Sequence, residues 1–227
     1  MDHIPVITID GPSGAGKGTV AIMLSKELKW NILDSGALYR TLAFVLQERQ
    51  IDLENFNSEK DKIKTEFNVS FSPGRSSEPV KVIYQGRDIS NLVRNEKIAL
   101  KTSIIAASEE IRQFIRPCQR EFLKSPGLVA DGRDMGTIIF PEADLKIFLT
   151  ASLKERAKRR QLQLKRQGTK VNMRVLLEEL EIRDKKDRER EHSPLRLAQD
   201  SHVIDTSNLS PEGVVKEIKS LSIDILR

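Results

Sequence analysis

Nine consecutive residues carry the clearest chemical signal in the chain. Gly11-Pro12-Ser13-Gly14-Ala15-Gly16-Lys17-Gly18-Thr19 follows the apolar run Ile4 to Ile9 and precedes a stretch of helical periodicity. Glycines at that spacing let the backbone curl until several N–H groups face one point, and a helix N-terminus adds partial positive charge there. Such a loop holds nucleotide phosphates, with Lys17 reaching the outer two. Ser or Thr usually stands directly after the lysine, whereas here Gly18 intervenes before Thr19. A Mg²⁺ ion at the loop is therefore expected to be held mainly by phosphates and water, with Thr19 as a weak contributor.

Three further clusters combine arginine with aspartate. Asp34-Ser35-Gly36-Ala37-Leu38-Tyr39-Arg40 reads as a turn opening a helix, and the planar fork of Arg40 suits a second phosphate. Asp131-Gly132-Arg133-Asp134-Met135-Gly136-Thr137 follows the short apolar run Leu128-Val129-Ala130. Ligands of open α/β sheets bind beyond the carboxyl ends of strands, so Asp131 is placed to hold water on Mg²⁺, and Arg133 and Asp134 to meet a ligand. Arg183, Asp187 and Arg190 fall at i, i+4, i+7 and share a helical face. Each cluster alone reads as a capped turn or a solvated helix. Beside a phosphate loop, the three together indicate a site for two anions.

The elements that must position these residues follow from periodicity and punctuation. Strands are expected at 4–10, 67–71, 80–84, 128–130, 145–149 and 203–205, with Ile32-Leu33 leading into the second cluster. Helices are expected over 17–29, 37–50, a long stretch ending near Lys124, a strongly basic one from about 154 and another over 173–191. Ser152 with Glu155 forms a capping box, Gly168-Thr169 a break, and Ser210-Pro211 the start of a last helix. Residues 51–65 are polar and give no periodic signal, and Ser72 to Pro79 is turn chemistry. Short apolar strands separated by helices predict an α/β fold with a largely parallel sheet and a small antiparallel insert.

The chain has 227 residues, 38 basic against 33 acidic, giving a net charge of +5. That is a mild excess, suited to small polyanions. Aromatics at 5% make stacking platforms for nucleic acid improbable. The single cysteine, Cys118, excludes a disulfide framework and a cysteine-rich metal site. No signal-peptide pattern opens the chain, and its apolar runs fall far short of the ~20 residues of a membrane span, so a cytoplasmic protein is expected. The histidines, His3, His192 and His202, lack metal-ligand spacing.

Taken in order, Gly11–Thr19, Asp34–Arg40, Asp131–Thr137 and Arg183–Arg190 resemble the bacterial cytidylate kinases, over nearly the whole chain. The resemblance implies an α/β P-loop three-layer fold with a central parallel sheet, a small antiparallel insert and a helical lid: one kinase domain over 1–227, with a monophosphate-binding region at about 34–124, a strand-rich insert at about 66–90 and a lid at about 154–190. It implies ATP with Mg²⁺ as donor, CMP or dCMP as acceptor, and a monomer with neither membrane nor nucleic-acid partners. By the same resemblance Gly11–Thr19 hold the ATP phosphates, and Lys17 acts on the transferring group. Arg40, Arg133 and Arg190 clamp the CMP phosphate, Asp34 and Ser35 belong to the CMP-binding set, Ser103, Arg112 and Asp134 read cytosine, and Arg183 with Asp187 contacts the ribose. Arg156, Arg159 and Arg160 are the lid candidates for reaching the transferring phosphate. Other small acceptors (UMP, AMP, shikimate), a nucleotide-dependent switch and a nucleic-acid module are the competing expectations. A switch that reads guanine needs an Asn-Lys-x-Asp segment, which the chain lacks.

Overall fold

The structure, a computed structural model, describes residues 3–72, 80–166, 168 and 171–222. Strand β1 (Val6–Asp10) is buried along its whole length and leads through the phosphate loop into α1 (Lys17–Leu28). Then come β2 (Asn31–Asp34) and α2 (Ser35–Glu48), where Asp34 Oδ1 accepts from Ala37 N at 2.9 Å and starts the helix two residues earlier than periodicity suggests. The silent stretch 51–65 contains α3 (Phe56–Glu66), a polar helix whose buried residues are Phe56 and Ile63. Strands β3 (Val69–Ser72), β4 (Lys81–Tyr84) and β5 (Arg87–Asp88) form a separate antiparallel sheet, as the insert predicts. The turn expected over Ser72–Pro79 lies, from residue 73 on, outside the described residues, as does Thr169 of the expected break.

The long helical stretch before residue 124 is three helices: α4 (Ser90–Val93), α5 (Glu96–Ile105) and α6 (Glu109–Arg120). Asn95 and Ser108 cap the second and third by accepting from Ile98 N and Ile111 N, which ends each preceding turn. Strand β6 (Leu128–Asp131) is followed by a π-helical turn, Met135–Ile139, that periodicity does not foretell. Strand β7 (Leu145–Thr150), α7 (Leu153–Arg166), α8 (Met173–Glu189), β8 (His202–Asp205) and α9 (Pro211–Leu221) complete the chain.

The main sheet has the order β2-β6-β1-β7-β8, and every pairing in it is parallel. Alternation along β1 divides the core: Val6 packs with α2, α6 and the π-turn, while Ile7 and Ile9 pack with α1 and α9 on the other face. This is the central parallel sheet, between helical layers, that the sequence predicts. Helices α7 and α8 pair through their own small core of Ala157, Leu164, Leu176 and Leu180. Among the described residues no helix is long and apolar enough to cross a membrane.

Candidate active site

All the clusters read from the sequence converge on the carboxyl ends of β1, β2 and β6. Gly11 leaves β1 with φ 141°, and a Cβ there would lie 2.0 Å from the Leu149 carbonyl oxygen, so the loop turns against β7 with no room for a side chain. Gly14, at φ 79°, packs on the first turn of α7, where a Cβ would sit 3.1 Å from Arg156 Cβ. Lys17 is buried and donates to the Pro12 carbonyl at 3.0 Å. Burial, then the Arg133 charge, hold its ammonium well below the usual lysine range, while Asp131 and Asp10 pull the other way. Burial drives the Asp131 carboxyl well above the usual carboxylate range, against the opposing charge of Lys17. A dry, strained group of this kind marks a site that binds charge.

The unusual Gly18 has a physical reason here. A Cβ at that position would lie 3.3 Å from Asp131 Oδ2, so glycine gives the carboxylate room against the first turn of α1. Thr19 and Asp131 offer only oxygen, the donor chemistry Mg²⁺ selects. Among the described residues no group of three His, Cys, Asp or Glu side chains is placed to hold a metal unaided. The residues fit a metal that arrives with a triphosphate.

Across the cleft, Arg112 Nη1 donates to Asp134 Oδ2 at 2.9 Å, with both side chains at most 5% exposed. The Arg112 guanidinium lies over the Tyr39 ring, 5.8 Å from its centre, and its Nε has no protein partner. Arg133 Nε donates to Asp187 Oδ2 at 2.8 Å, joining the β6 loop to α8. Burial works against the Arg133 charge, but Asp187 outweighs it and raises the guanidinium; burial likewise opposes the Asp187 charge, and Arg133 still holds that carboxyl below its ordinary range. Arg183 reaches solvent along part of its length, yet desolvation and the Arg133 charge push it down to about 10. Arg40 is lowered by burial, with Arg160, Arg94 and Arg133 adding like charge. Arg190 is lowered by burial and by Arg112; its Nε donates to the Ser193 carbonyl and its Nη2 is buried without a partner. So many cations crowded together, with two buried donors unmet, form a receptacle for an anion.

Ser35 is buried and accepts from Gln119 Nε2 at 2.8 Å, beside the Asp34 cap of α2. Ser103 sits on the exposed side of α5, outside the buried Arg112–Asp134 pair. The three lid arginines point in three directions. Arg156 donates through Nε to Ala151 O at 3.1 Å, through Nη1 to Ser13 O at 3.0 Å and through Nη2 to Asp184 Oδ2 at 2.6 Å. Arg159 donates to the Thr206 hydroxyl at 2.9 Å and the Thr206 carbonyl at 2.6 Å. Arg160 meets Gln163 at 3.0 Å, and its charge is felt at both Arg40 and Arg183.

Several residues of this site escape sequence reasoning. Asp10 ends β1 and bonds to the acceptor loop, Tyr39 supports Arg112, Gln119 meets Ser35, and Thr206 joins Arg159 to the Ala15 carbonyl of the phosphate loop. Tyr39 lies inside a quoted motif, and Asp10 directly precedes one; position was the available signal for both.

The sequence matches the family described as Cytidylate kinase over residues 7–222. The cytidylate kinase of Stutzerimonas stutzeri (strain A1501) is 49% identical over 218 residues, covering 96% of this chain and 94% of that protein. The cytidylate kinase of Pseudomonas aeruginosa (strain LESB58) is 46% identical over 215 residues, covering 95% and 93%.

Proposed function

The chain belongs to the cytidylate kinase family, and from that premise we propose that it transfers the γ-phosphoryl group of ATP to CMP or dCMP, giving ADP with CDP or dCDP. The observation that carries the acceptor reading is the buried Arg112–Asp134 pair, in which Arg112 keeps an unmet donor, with Arg190, another arginine with an unmet donor, close enough for its charge to be felt. Cytosine presents an amino donor where uracil presents a carbonyl. The carboxylate of Asp134 accepts from the first and repels the second, while Arg112 donates to the ring acceptors. A buried mismatch of this sort rejects an analogue by up to ~10⁴-fold.

Phosphoryl transfer asks the protein for in-line placement and neutralised charge. The acceptor phosphate is itself the nucleophile, so no protein base is needed. The amides of Gly11–Thr19 and the Lys17 ammonium hold the donor phosphates. Arg40, Arg133 and Arg190 hold the acceptor phosphate, Asp34 caps the helix that carries Arg40 and stands with Ser35 at the CMP site, and Arg183 with Asp187 orients the ribose. Thr19 and Asp131, the latter through water, would help hold a Mg²⁺ ion brought in with ATP, which would supply charge neutralisation on the phosphates. Arg160 is the lid arginine best suited to meet the transferring group: Arg156 and Arg159 are tied to distant segments, whereas Arg160 meets Gln163 on its own helix and its charge reaches Arg40 and Arg183. Three working regions follow: a core, an acceptor region at about 34–124 carrying the insert, and a lid at about 154–190 whose closure excludes water. The reading is of a cytoplasmic monomer acting on small nucleotides.

The test is ADP release from MgATP with CMP, dCMP, UMP, AMP and GMP offered singly. Turnover with CMP or dCMP well above the rest is expected. A folded, ATP-binding protein that releases no ADP in response to any acceptor overturns the reading.

A further inference from the structure

We propose that Asp10 is a positioning residue for the acceptor nucleotide: its carboxylate fixes the loop presenting Arg133 and Asp134 and ties that loop to the root of the phosphate loop. The inference rests on the acceptor reading given above. Asp10 is the last residue of β1 and 5% exposed, directly before Gly11. Its Oδ1 accepts from Met135 N at 2.9 Å and its Oδ2 from Gly136 N at 2.8 Å. These are the two amides that follow Asp134.

The geometry explains why an acid stands there. The π-helical turn closes through Ile139 N to Asp134 O and Phe140 N to Met135 O, at 3.2 and 2.7 Å. Its first N–H groups therefore look for acceptors outside the turn. A carboxylate offers two acceptors in a fork and satisfies both. Gly132 N donates to Ile9 O at 3.1 Å, and a Cβ on Gly136 would lie 2.9 Å from Thr8 Oγ1, so the loop is pressed onto β1 from both ends. Burial pushes the Asp10 carboxyl up to about 6, against the pull of the two N–H bonds, so near neutral pH it remains ionised and accepts from both amides. Burying a charge costs stability that hydrogen bonds only partly offset, so a buried carboxylate at this position points to a role in holding the loop. Here the two loops it joins are the ones that must bring the donor and acceptor phosphates into line.

Asp10→Asn keeps the shape but turns one acceptor into a donor facing an N–H group. A shift of about 1 Å at Arg133 and Asp134 costs on the order of 100-fold. The expected result is a fall in kcat/KM for CMP of roughly 10–100-fold, with a raised CMP KM and a CMP-over-UMP preference reduced about tenfold. The ATP KM should stay within about threefold, since the phosphate-loop amides are untouched. Asp10→Glu, which keeps both acceptors but is longer, should show the same pattern more weakly, and it serves as the test if Asp10→Asn does not fold. A folded variant whose CMP kinetics and base preference match wild type, or one that loses ATP and CMP use equally alongside a lower Tm, overturns the proposal. Wild-type protein is assayed in parallel: if it shows no preference for CMP, the acceptor reading itself fails, an outcome distinct from an intact wild type with an indifferent variant.

Discussion

Two buried arginine–aspartate pairs, Arg112–Asp134 and Arg156–Asp184, have the same residue types and nearly the same burial, with side chains 4–5% and 6–7% exposed. They differ in what is left over: the first pair leaves a donor unmet, Arg112 Nε, and the second an acceptor, Asp184 Oδ1. Every guanidinium nitrogen of Arg156 has a protein partner, on the chain before α7, on the phosphate loop and on α8. Arg112 leaves Nε unmet and rests on an aromatic face that holds it without using its donors. The Arg156 pattern is a strut joining α7, the phosphate loop and α8, and the Arg112 pattern, in the proposed reading, keeps a donor free for the acceptor. Counting spare donors separates the two where charge and burial do not.

That contrast can be broken or sharpened at four points. Arg156→Ala leaves Asp184 as an uncompensated buried charge and should lower stability by about 3–5 kcal/mol, read by denaturant unfolding. If it loses catalysis with its stability intact, Arg156 is no strut. Asp134→Ala should reduce kcat/KM for CMP by roughly 100-fold or more, a loss of about 2.7 kcal/mol, while the ATP KM moves little. Equal losses for both nucleotides would remove its base-reading role.

The third effect depends on pH. Asp10 rises from 3.8 to about 6 on folding, so the folded chain binds that proton more tightly than the unfolded one. Its contribution favours folding at the acid end and is lost as pH climbs from 3.8 through about 6, by up to roughly 3 kcal/mol. Wild type should therefore lose stability relative to Asp10→Asn across that window in paired melts. A flat difference means the carboxyl titrates normally. The smallest effect belongs to an ion pair of a third kind, Arg174–Glu178, exposed on α8 at 2.9 Å. Arg174→Ala should change stability by less than about 0.5 kcal/mol. A larger loss would show that donor counting fails at the surface.

The same distinction governs what the sequence could disclose. The phosphate loop is legible because main chain does the binding: glycine spacing and one lysine in nine consecutive residues specify it. The proposed acceptor site draws on side chains from α2, α6, α8 and the β6 loop, so its members are visible as types and not as partners. Arg156, Arg159 and Arg160 are equivalent in sequence and diverge only once Asp184, Thr206 and the acceptor arginines are in place. Helix α3 gave no signal because Phe56 and Ile63 are two anchors in a polar surround. The breaks before α5 and α6 were written in Asn95 and Ser108, cap residues whose force is local and easily read through. The π-turn depends on Asp10, more than a hundred residues away, and no local pattern encodes that.

The strand order has a consequence for the chain's birth. Strand β1 lies at the centre of the sheet, and both its neighbours come from the second half of the sequence, the nearer beginning at Leu128. A ribosome working at about 5–20 residues per second exposes β1 and its glycine loop for roughly 6–24 s before β6 exists to receive them. During that interval five buried apolar and polar residues have no sheet to join, and the loop has no β7 carbonyl to turn against. Nascent chains halted short of residue 128 should therefore neither protect the β1 amides from exchange nor retain ATP, and chains released past Thr150 should gain both together.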